Sequence, residues 1–295
     1  MLKVAITLAA LLAVPGAAFA QNAEAQPPLE KREKRVDAPP ISAYKIILVG
    51  DSTMAPGSGW ASAFCDHHVK SNIACVNMGR GGRSTRSYRA EGSWAIALNE
   101  AKVQGYKKTW VLIQFAHNDQ STKAERWTDL NTEFPANLRQ MVADVRAAGA
   151  EAVLVTPLTR REFVGGKLNN SLAAWADAVR KVSAELKVPL VDLNRDSAKA
   201  VAELGAVEST KLAMAPPAED ELRAAEAGTT LRPRVVTAAP ADGDAPKSAA
   251  SGPRGRITLK FDYTHVGETG AKVFAKIVAF DLANAVPELR SQLLP

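Results

Sequence analysis

The sequence predicts an α/β fold: a three-layer α/β/α sandwich in which helices cover both faces of a central, mostly parallel five-stranded sheet. Short, wholly apolar runs recur along the chain, and a stretch with helical periodicity separates most of them from the next. Strands that are apolar throughout are typical of parallel sheets with both faces covered, and helices form their right-handed crossovers. A length of 295 residues, of which 46% are hydrophobic, is enough for one substantial core.

The elements can be assigned in order along the chain. Apolar runs predict strands at residues 46–49, 73–76, 109–115, 152–156 and 190–193. Amphipathic spacing predicts helices over residues 59–69, 92–103, 131–148, 169–186 and 267–285. Ligands bind at the carboxyl ends of the strands in such folds, so the polar residues that follow each strand are the candidates for a site.

The N-terminus has the pattern of a secretory signal peptide. Lys3 precedes a short apolar stretch, and the small residues Ala18 and Ala20 provide a cleavage site. We expect residues 1–20 to be removed and the mature protein to be periplasmic or secreted. An uncleaved membrane anchor is the alternative, which the shortness of the apolar stretch disfavours. No later apolar run reaches the roughly 18 residues of a membrane span, so we expect no membrane insertion after cleavage.

Two segments lack the large apolar side chains that an ordered domain needs. Residues 21–43 combine proline pairs with a run of charges, which predicts a disordered, solvated tail. Residues 214–255 contain 11 Ala, 6 Pro and 4 Gly but no aromatic residue. We therefore expect a single domain over residues 44–295 that carries a mobile insertion at 214–255.

Composition limits the partners and cofactors. A formal net charge of +6 suggests an anionic partner. Nucleic acid is not expected, because the chain is exported and only 6% of its residues are aromatic, and no dinucleotide or phosphate-loop fingerprint is present. The two cysteines, Cys65 and Cys75, form either one disulfide or two buried thiols. They and the four histidines are too few to favour a structural zinc site, so no metal is expected.

Four polar clusters follow the first three strands and precede the last helix. They are Gly50-Asp51-Ser52-Thr53, the glycine-rich stretch 77–84, Ala116-His117-Asn118-Asp119 and Asp262-Tyr263-Thr264-His265. Each cluster alone is as typical of a turn as of a site. Their joint order, with all four at one edge of the predicted sheet, is what indicates a functional site.

In this order the clusters resemble the SGNH (GDSL-type) hydrolase family. Within it, residues 50–55 and 82–88 look most like the rhamnogalacturonan acetylesterase branch. The resemblance covers about residues 44–285, apart from the insertion, and implies a flavodoxin-like domain that hydrolyses esters without a metal or organic cofactor. Met54 occupies the last position of the Gly-x-Ser-x-Gly pattern, so an α/β-hydrolase nucleophile elbow is not supported.

The chemistry of these residue types agrees with the resemblance. A serine hydroxyl needs a base within hydrogen-bond reach to act as a nucleophile at neutral pH, and an imidazole is suited to that task. We therefore assign Ser52 as the nucleophile and His265 as the base. Asp262, three residues earlier, would hold one ring nitrogen so that the other faces the serine. The alternative for the Asp-x-x-His pattern is an ordinary surface turn.

The resemblance also implies an oxyanion hole formed by the backbone N–H groups of Ser52 and Gly82 and by the side-chain amide of Asn118. For the glycine and the asparagine, the alternatives are a flexible turn and a turn-capping side chain. The family has glycine where this chain has Ala116, and a positive φ there would put the aim of Asn118 in doubt. His117 is expected to have a structural hydrogen-bonding role, and Asp51 to orient the loop.

Four arginines, at positions 80, 83, 86 and 89, recur every third residue beside the oxyanion glycine. We expect Arg83 and Arg86 to attract a carboxylate-bearing substrate, and pairing with Glu91 and other acids is the alternative. The function expected is removal of O-acetyl groups from cell-wall polysaccharide, most of all rhamnogalacturonan, by a monomeric enzyme. The alternatives are the same chemistry on xylan, peptidoglycan or another ester, and a non-catalytic carbohydrate-binding protein.

Overall fold

Five parallel strands form the central sheet of the computed structural model, which describes residues 40–231 and 259–294. These strands are β1 (Tyr44–Gly50), β2 (Ile73–Asn77), β3 (Thr109–Gln114), β4 (Glu151–Val155) and β7 (Leu190–Val191). They lie in the order β2-β1-β3-β4-β7, and every neighbouring pair is parallel. The predicted α/β class and five-stranded parallel sheet are confirmed, with β1 inside the sheet and its carboxyl end at the predicted edge.

Eight helices are present in the described residues. They are α1 (Ala61–His67), α2 (Thr85–Ala90), α3 (Ser93–Ala101), α4 (Glu133–Ala147), α5 (Ala173–Leu186), α6 (Leu193–Ser209), α7 (Glu219–Glu226) and α8 (Glu268–Ala285). Successive side chains of a strand point to opposite faces of the sheet. Ile46 and Leu48 accordingly join one core with α1, α6 and α8, and Ile47 and Val49 join the other with α3, α4 and α5.

Some elements were not predicted from the sequence. Helix α2 and helix α6 are additional, as is a small hairpin of β5 (Phe163–Val164) and β6 (Lys167–Leu168). The fifth strand was predicted to extend to residue 193, but it ends at Val191, and Leu193 begins α6. Two residues are enough for this edge strand because Leu190 and Val191 pair with only one neighbour, β4.

Of the segment predicted as a mobile insertion, residues 214–255, the structure describes residues 214–231. Residues 214–231 include α7, whose first turn carries three acidic residues that favour the positive end of the helix dipole. The backbone N–H of Ala218 donates to Glu221 at 2.8 Å, and that of Thr230 donates to the carbonyl of Phe163 at 3.0 Å. Local capping therefore compensates for the lack of large apolar side chains. Residues 232–258, and the predicted signal peptide and most of the predicted tail, lie outside the described residues.

The two cysteines are joined in the structure. Cys65 of α1 and Cys75 of β2 form a disulfide, with their Cα atoms 5.5 Å apart. The bond ties the first crossover helix to the strand that follows it. Among the helices in residues 40–231 and 259–294, none has the length and apolar character needed to cross a bilayer.

Candidate active site

Ser52 lies in a tight turn at the carboxyl end of β1. The carbonyl of Asp51 accepts hydrogen bonds from the backbone N–H groups of Met54 and Ala55, at 3.2 and 3.0 Å, so the chain turns sharply as the strand ends. Gly50 allows this turn to pack against β3, because a Cβ there would lie 2.6 Å from the carbonyl oxygen of Gln114. The turn leaves the Ser52 side chain at the surface of the sheet edge, with the residue 9% exposed.

The structure brings the three predicted catalytic side chains into one hydrogen-bonded chain. The Oγ of Ser52 lies 2.8 Å from Nε2 of His265, and Nδ1 of the same ring lies 2.7 Å from Oδ2 of Asp262. These contacts join residues that are 213 positions apart in the sequence. With a proton on Nδ1, the ring donates to the carboxylate and accepts from the serine hydroxyl, which is the arrangement that general-base catalysis requires.

Asp262 also holds the loop that carries the histidine. Its Oδ1 accepts from the backbone N–H groups of Thr264 and His265, both at 2.7 Å. Burial raises the pKa of the Asp262 carboxyl, but the hydrogen bond and charge of His265, together with these backbone donors, outweigh it and lower the pKa. The carboxylate is therefore ionised at neutral pH and can stabilise a protonated imidazole.

Arg161 holds the same loop through its backbone carbonyls. This residue is 1% exposed, and its Nη2 donates to the carbonyls of Asp262 at 2.6 Å and His265 at 2.8 Å. Burial lowers the pKa of Arg161 to about 10, with Asp262 opposing the change, so the guanidinium remains charged at neutral pH. Sequence reasoning missed this residue. It follows β4, and the rule that polar residues after strands are candidates would have pointed to it.

The glycine loop that carries the predicted oxyanion donor Gly82 lies beside Ser52. Gly82 has a φ of 77°, and a Cβ on its neighbour Gly81 would lie 3.8 Å from the Cβ of Ser52. The side-chain amide of Asn118 donates to the carbonyl of Arg83 at 3.1 Å, which ties it to the residue after Gly82. Within the described residues, the backbone N–H groups of Ser52 and Gly82 donate no hydrogen bond. They are thus free to receive the developing charge of an acyl-transfer transition state.

Comparison with known proteins identifies the family. The sequence model of the GDSL-like Lipase/Acylhydrolase family matches residues 48–215, which is more than half of the chain. The chain belongs to this family. The match begins within β1 and includes the turn that carries Ser52, the glycine loop and the Asn118 segment, and it ends before the Asp262–His265 loop.

Two curated relatives show which members of the family the chain resembles. It is 32% identical over 162 residues to "Probable rhamnogalacturonan acetylesterase YesY" of Bacillus subtilis (strain 168), covering 52% of this chain and 72% of the relative. It is 34% identical over 157 residues to "Rhamnogalacturonan acetylesterase RhgT" of the same organism, covering 50% and 64%. The expected resemblance to the SGNH family and to its rhamnogalacturonan acetylesterase branch is confirmed.

A solved structure agrees on the fold. The crystal structure of the protein YxiM from Bacillus subtilis superimposes on the acylhydrolase with a TM-score of 0.59 and 20% sequence identity. The aligned region covers 83% of this chain and 57% of that one. At this identity the comparison supports the α/β architecture alone.

In this acylhydrolase, Ala116 does adopt the backbone conformation that favours glycine. Its φ is 138°, and the residue is fully buried. An L-residue is strained in this region of φ. The amide of Asn118 nevertheless bonds the carbonyl of Arg83, so the strain at Ala116 leaves the asparagine next to Gly82.

His117 and Asp51 form a buried pair beneath the nucleophile turn. Oδ2 of Asp51 lies 3.3 Å from Nδ1 of His117, and its Oδ1 accepts from the backbone and hydroxyl of Thr53 at 2.9 and 2.8 Å. Burial raises the pKa of Asp51, but the charge and hydrogen bond of His117 and the bonds from Thr53 outweigh it and lower the pKa. These contacts tie His117 to the nucleophile turn through Asp51, and an orienting role for both residues remains a prediction.

Two of the four arginines in the row donate hydrogen bonds to carboxylates of the protein itself. Nε of Arg83 donates to Glu91 at 2.9 Å, and Arg86 donates two hydrogen bonds to Glu133, both at 2.8 Å. The pairing of Arg83 with Glu91 is the alternative that the sequence left open. Since both guanidinium groups already bind a carboxylate, the structure does not favour Arg83 and Arg86 as the residues that bind substrate.

Proposed function

We propose that the protein is an exported serine esterase that removes O-acetyl groups from cell-wall polysaccharide, with the rhamnogalacturonan of pectin as its substrate. The observation that carries the proposal is the hydrogen-bonded chain from Ser52 through His265 to Asp262, with distances of 2.8 and 2.7 Å. Similarity to "Rhamnogalacturonan acetylesterase RhgT" and "Probable rhamnogalacturonan acetylesterase YesY" supports the choice of substrate.

The proposed reaction has two halves. In the first, His265 takes the hydroxyl proton as the Oγ of Ser52 attacks the acetyl carbonyl, and the N–H groups of Ser52, Gly82 and Asn118 receive the oxyanion. The C–O bond to the sugar then breaks, and His265 gives its proton to the departing sugar oxygen. In the second half, His265 takes a proton from water, which attacks the acetyl-serine. Acetate leaves, and the proton returns to the Oγ of Ser52.

Two features support export. The N-terminal pattern is that of a cleaved leader, which predicts a mature chain beginning at Gln21. The disulfide between Cys65 and Cys75 agrees with an oxidising compartment, because such bonds rarely persist in a reducing cytosol. The N-terminal mass of the protein recovered outside the cytoplasm tests the cleavage site, and a full-length N-terminus there would reject it.

The catalytic role is tested with Ser52→Ala. We expect it to abolish hydrolysis of 4-nitrophenyl acetate, while Ser62→Ala on α1 serves as a matched control that keeps wild-type activity. A serine-directed reagent should label the wild type and not Ser52→Ala. Undiminished hydrolysis by Ser52→Ala would remove this serine from the mechanism, and a wild type that neither hydrolyses the ester nor reacts with the reagent would favour a non-catalytic carbohydrate-binding protein.

The substrate is tested by acetate release from acetylated polysaccharides. We expect faster release from acetylated rhamnogalacturonan than from acetylated xylan or peptidoglycan at equal acetyl concentration. Faster release from xylan or peptidoglycan would keep the esterase chemistry and reject the proposed substrate.

A further inference from the structure

The loop between Asn118 and Thr128 places a guanidinium group against the oxyanion glycine. A Cβ on Gly82 would lie 3.4 Å from each of Cζ, Nη1 and Nη2 of Arg126. Three equal distances mean that the flat face of the guanidinium covers Gly82. Its N–H groups lie in the plane of the guanidinium, so they are directed sideways, away from the face that covers Gly82.

The backbone around Arg126 is fixed by hydrogen bonds. Its own N–H donates to the carbonyl of Lys123 at 2.9 Å, and Thr128 donates from its backbone and its hydroxyl to Asp119, both at 3.0 Å. Asp119 directly follows the predicted oxyanion residue Asn118. The loop that carries Arg126 is therefore anchored to the same segment that positions the oxyanion donors.

The side chain of Arg126 is largely covered, yet its guanidinium has no hydrogen-bond partner within the described residues. In the part of the chain that the structure describes, its one ion-pair contact is with Glu125, whose side chain is 65% exposed. The atoms are 3.7 Å apart, beyond hydrogen-bond range. Arg83 and Arg86, by contrast, donate to Glu91 and Glu133. The side chain of Arg126 is only 32% exposed, so the protein partly desolvates a cation while leaving its donors unfilled.

We propose that Arg126 binds the carboxylate of the acetylated uronic acid in the polysaccharide. The inference rests on the acetylesterase function proposed above. A guanidinium presents parallel N–H donors that match the two oxygens of a carboxylate. Since Arg126 lies over Gly82, a carboxylate held there brings the acetylated ring up to Ser52. A neutral polysaccharide offers this cation no partner.

The experiment compares acetate release from two substrates that differ only at the carboxyl group. One is the methyl glycoside of an O-acetylated galacturonic acid, and the other is the methyl ester of the same compound, in which the carboxylate is masked. We expect Arg126→Ala to lower kcat/KM for the acid about 10- to 100-fold, mainly through KM, and to change that for the methyl ester less than about 2-fold. Arg126→Lys keeps the charge but loses the paired donors, so its effect should be intermediate.

Lys102→Ala is the matched control. Lys102 is exposed at the end of α3, which leads to the amino end of β3, so it lies at the edge of the sheet opposite the site. The variant removes one positive charge, as Arg126→Ala does, and should leave both substrates unaffected. The preference of the wild type for the acid should also weaken as salt is added, because salt screens the charge pair.

Each other outcome is decisive. Equal losses of kcat/KM on the acid and its methyl ester would mean that Arg126 acts on the oxyanion loop rather than on a carboxylate. Unchanged kinetics would mean that Arg126 does neither. Either result overturns the inference and leaves the acetylesterase function intact. A wild type that hydrolyses 4-nitrophenyl acetate but neither sugar ester would overturn the polysaccharide function, and this inference with it.

Discussion

Replacing Asp262 by asparagine separates the two tasks of one carboxylate. Oδ1 holds the loop through the N–H groups of Thr264 and His265, and Oδ2 holds the imidazole through Nδ1, with all three distances 2.7 Å. An asparagine can keep its carbonyl oxygen in the position of Oδ1, so the turn is retained. Its NH₂ group then faces Nδ1 of the ring, where two donors cannot bond each other.

The expected effect follows from this geometry. The ring changes to the tautomer with its proton on Nε2, which now donates to Ser52 instead of accepting from it. A comparable change in serine hydrolases with this arrangement lowers kcat by about 10⁴, or about 5.4 kcal/mol at 1.36 kcal/mol per tenfold. Because the two backbone hydrogen bonds remain, we expect the free energy of unfolding to change far less than the activation free energy does.

The measurement is kcat for 4-nitrophenyl acetate near neutral pH, with the urea midpoint as a check on folding. Asp262→Ala serves as the comparison, because it removes the loop contacts as well and should lose both activity and stability. More than about a tenth of wild-type kcat in a folded Asp262→Asn would show that the bond to Nδ1 is not needed. In the wild type the pKa of Asp262 is lowered, so the carboxylate stays charged as pH falls and is neutralised only below its usual range.

Two further predictions concern stability. Replacing both Cys65 and Cys75 by alanine should lower the free energy of unfolding by about 2.7 kcal/mol, which is the chain-entropy value for a sequence separation of 10, with little change in kcat. Urea unfolding of the wild type and the variant measures this difference. Equal urea midpoints would contradict the prediction. Ala116→Gly should raise the free energy of unfolding by about 1 kcal/mol by relieving the φ of 138°, whereas Ala97→Gly inside α3 should lower it by a similar amount. A loss of stability in Ala116→Gly would refute strain at this position.

The strands of the sheet were predictable because buried strands consist mainly of apolar residues, which the sequence shows as short apolar runs. Every residue of β1 from Lys45 to Gly50 is buried, and the run Ile46–Val49 is apolar throughout. Helix α2 has no such run. Five of the six residues Thr85–Ala90 are charged or carry a hydroxyl group. The helix is held by the capping side chain of Ser84 and by the burial of Thr85 and Tyr88. Contacts of that kind are tertiary, so hydrophobic periodicity does not reveal them.

Residues of the candidate site were predictable where a reactive side chain lies at the end of a predicted strand or the start of a predicted helix. Ser52 and His265 carry reactive groups beside a strand end and a helix start, which is a pattern that a sequence displays. Arg161 was missed because its partners are backbone carbonyls, which have no residue type of their own. The pairing of Arg86 was equally hidden, since Glu133 lies 47 positions away along the chain.

The long separation between Ser52 and His265, the proposed nucleophile and base, has a consequence for how the protein would become active. Ser52 emerges early during synthesis, on the first strand, but its base arrives 213 residues later, just ahead of α8. A nascent or truncated polypeptide that ends before Asp262 can contain every strand of the sheet and still be inert. Ester hydrolysis therefore reports that the last helix has docked, which makes a simple colorimetric assay a sensor of completed folding.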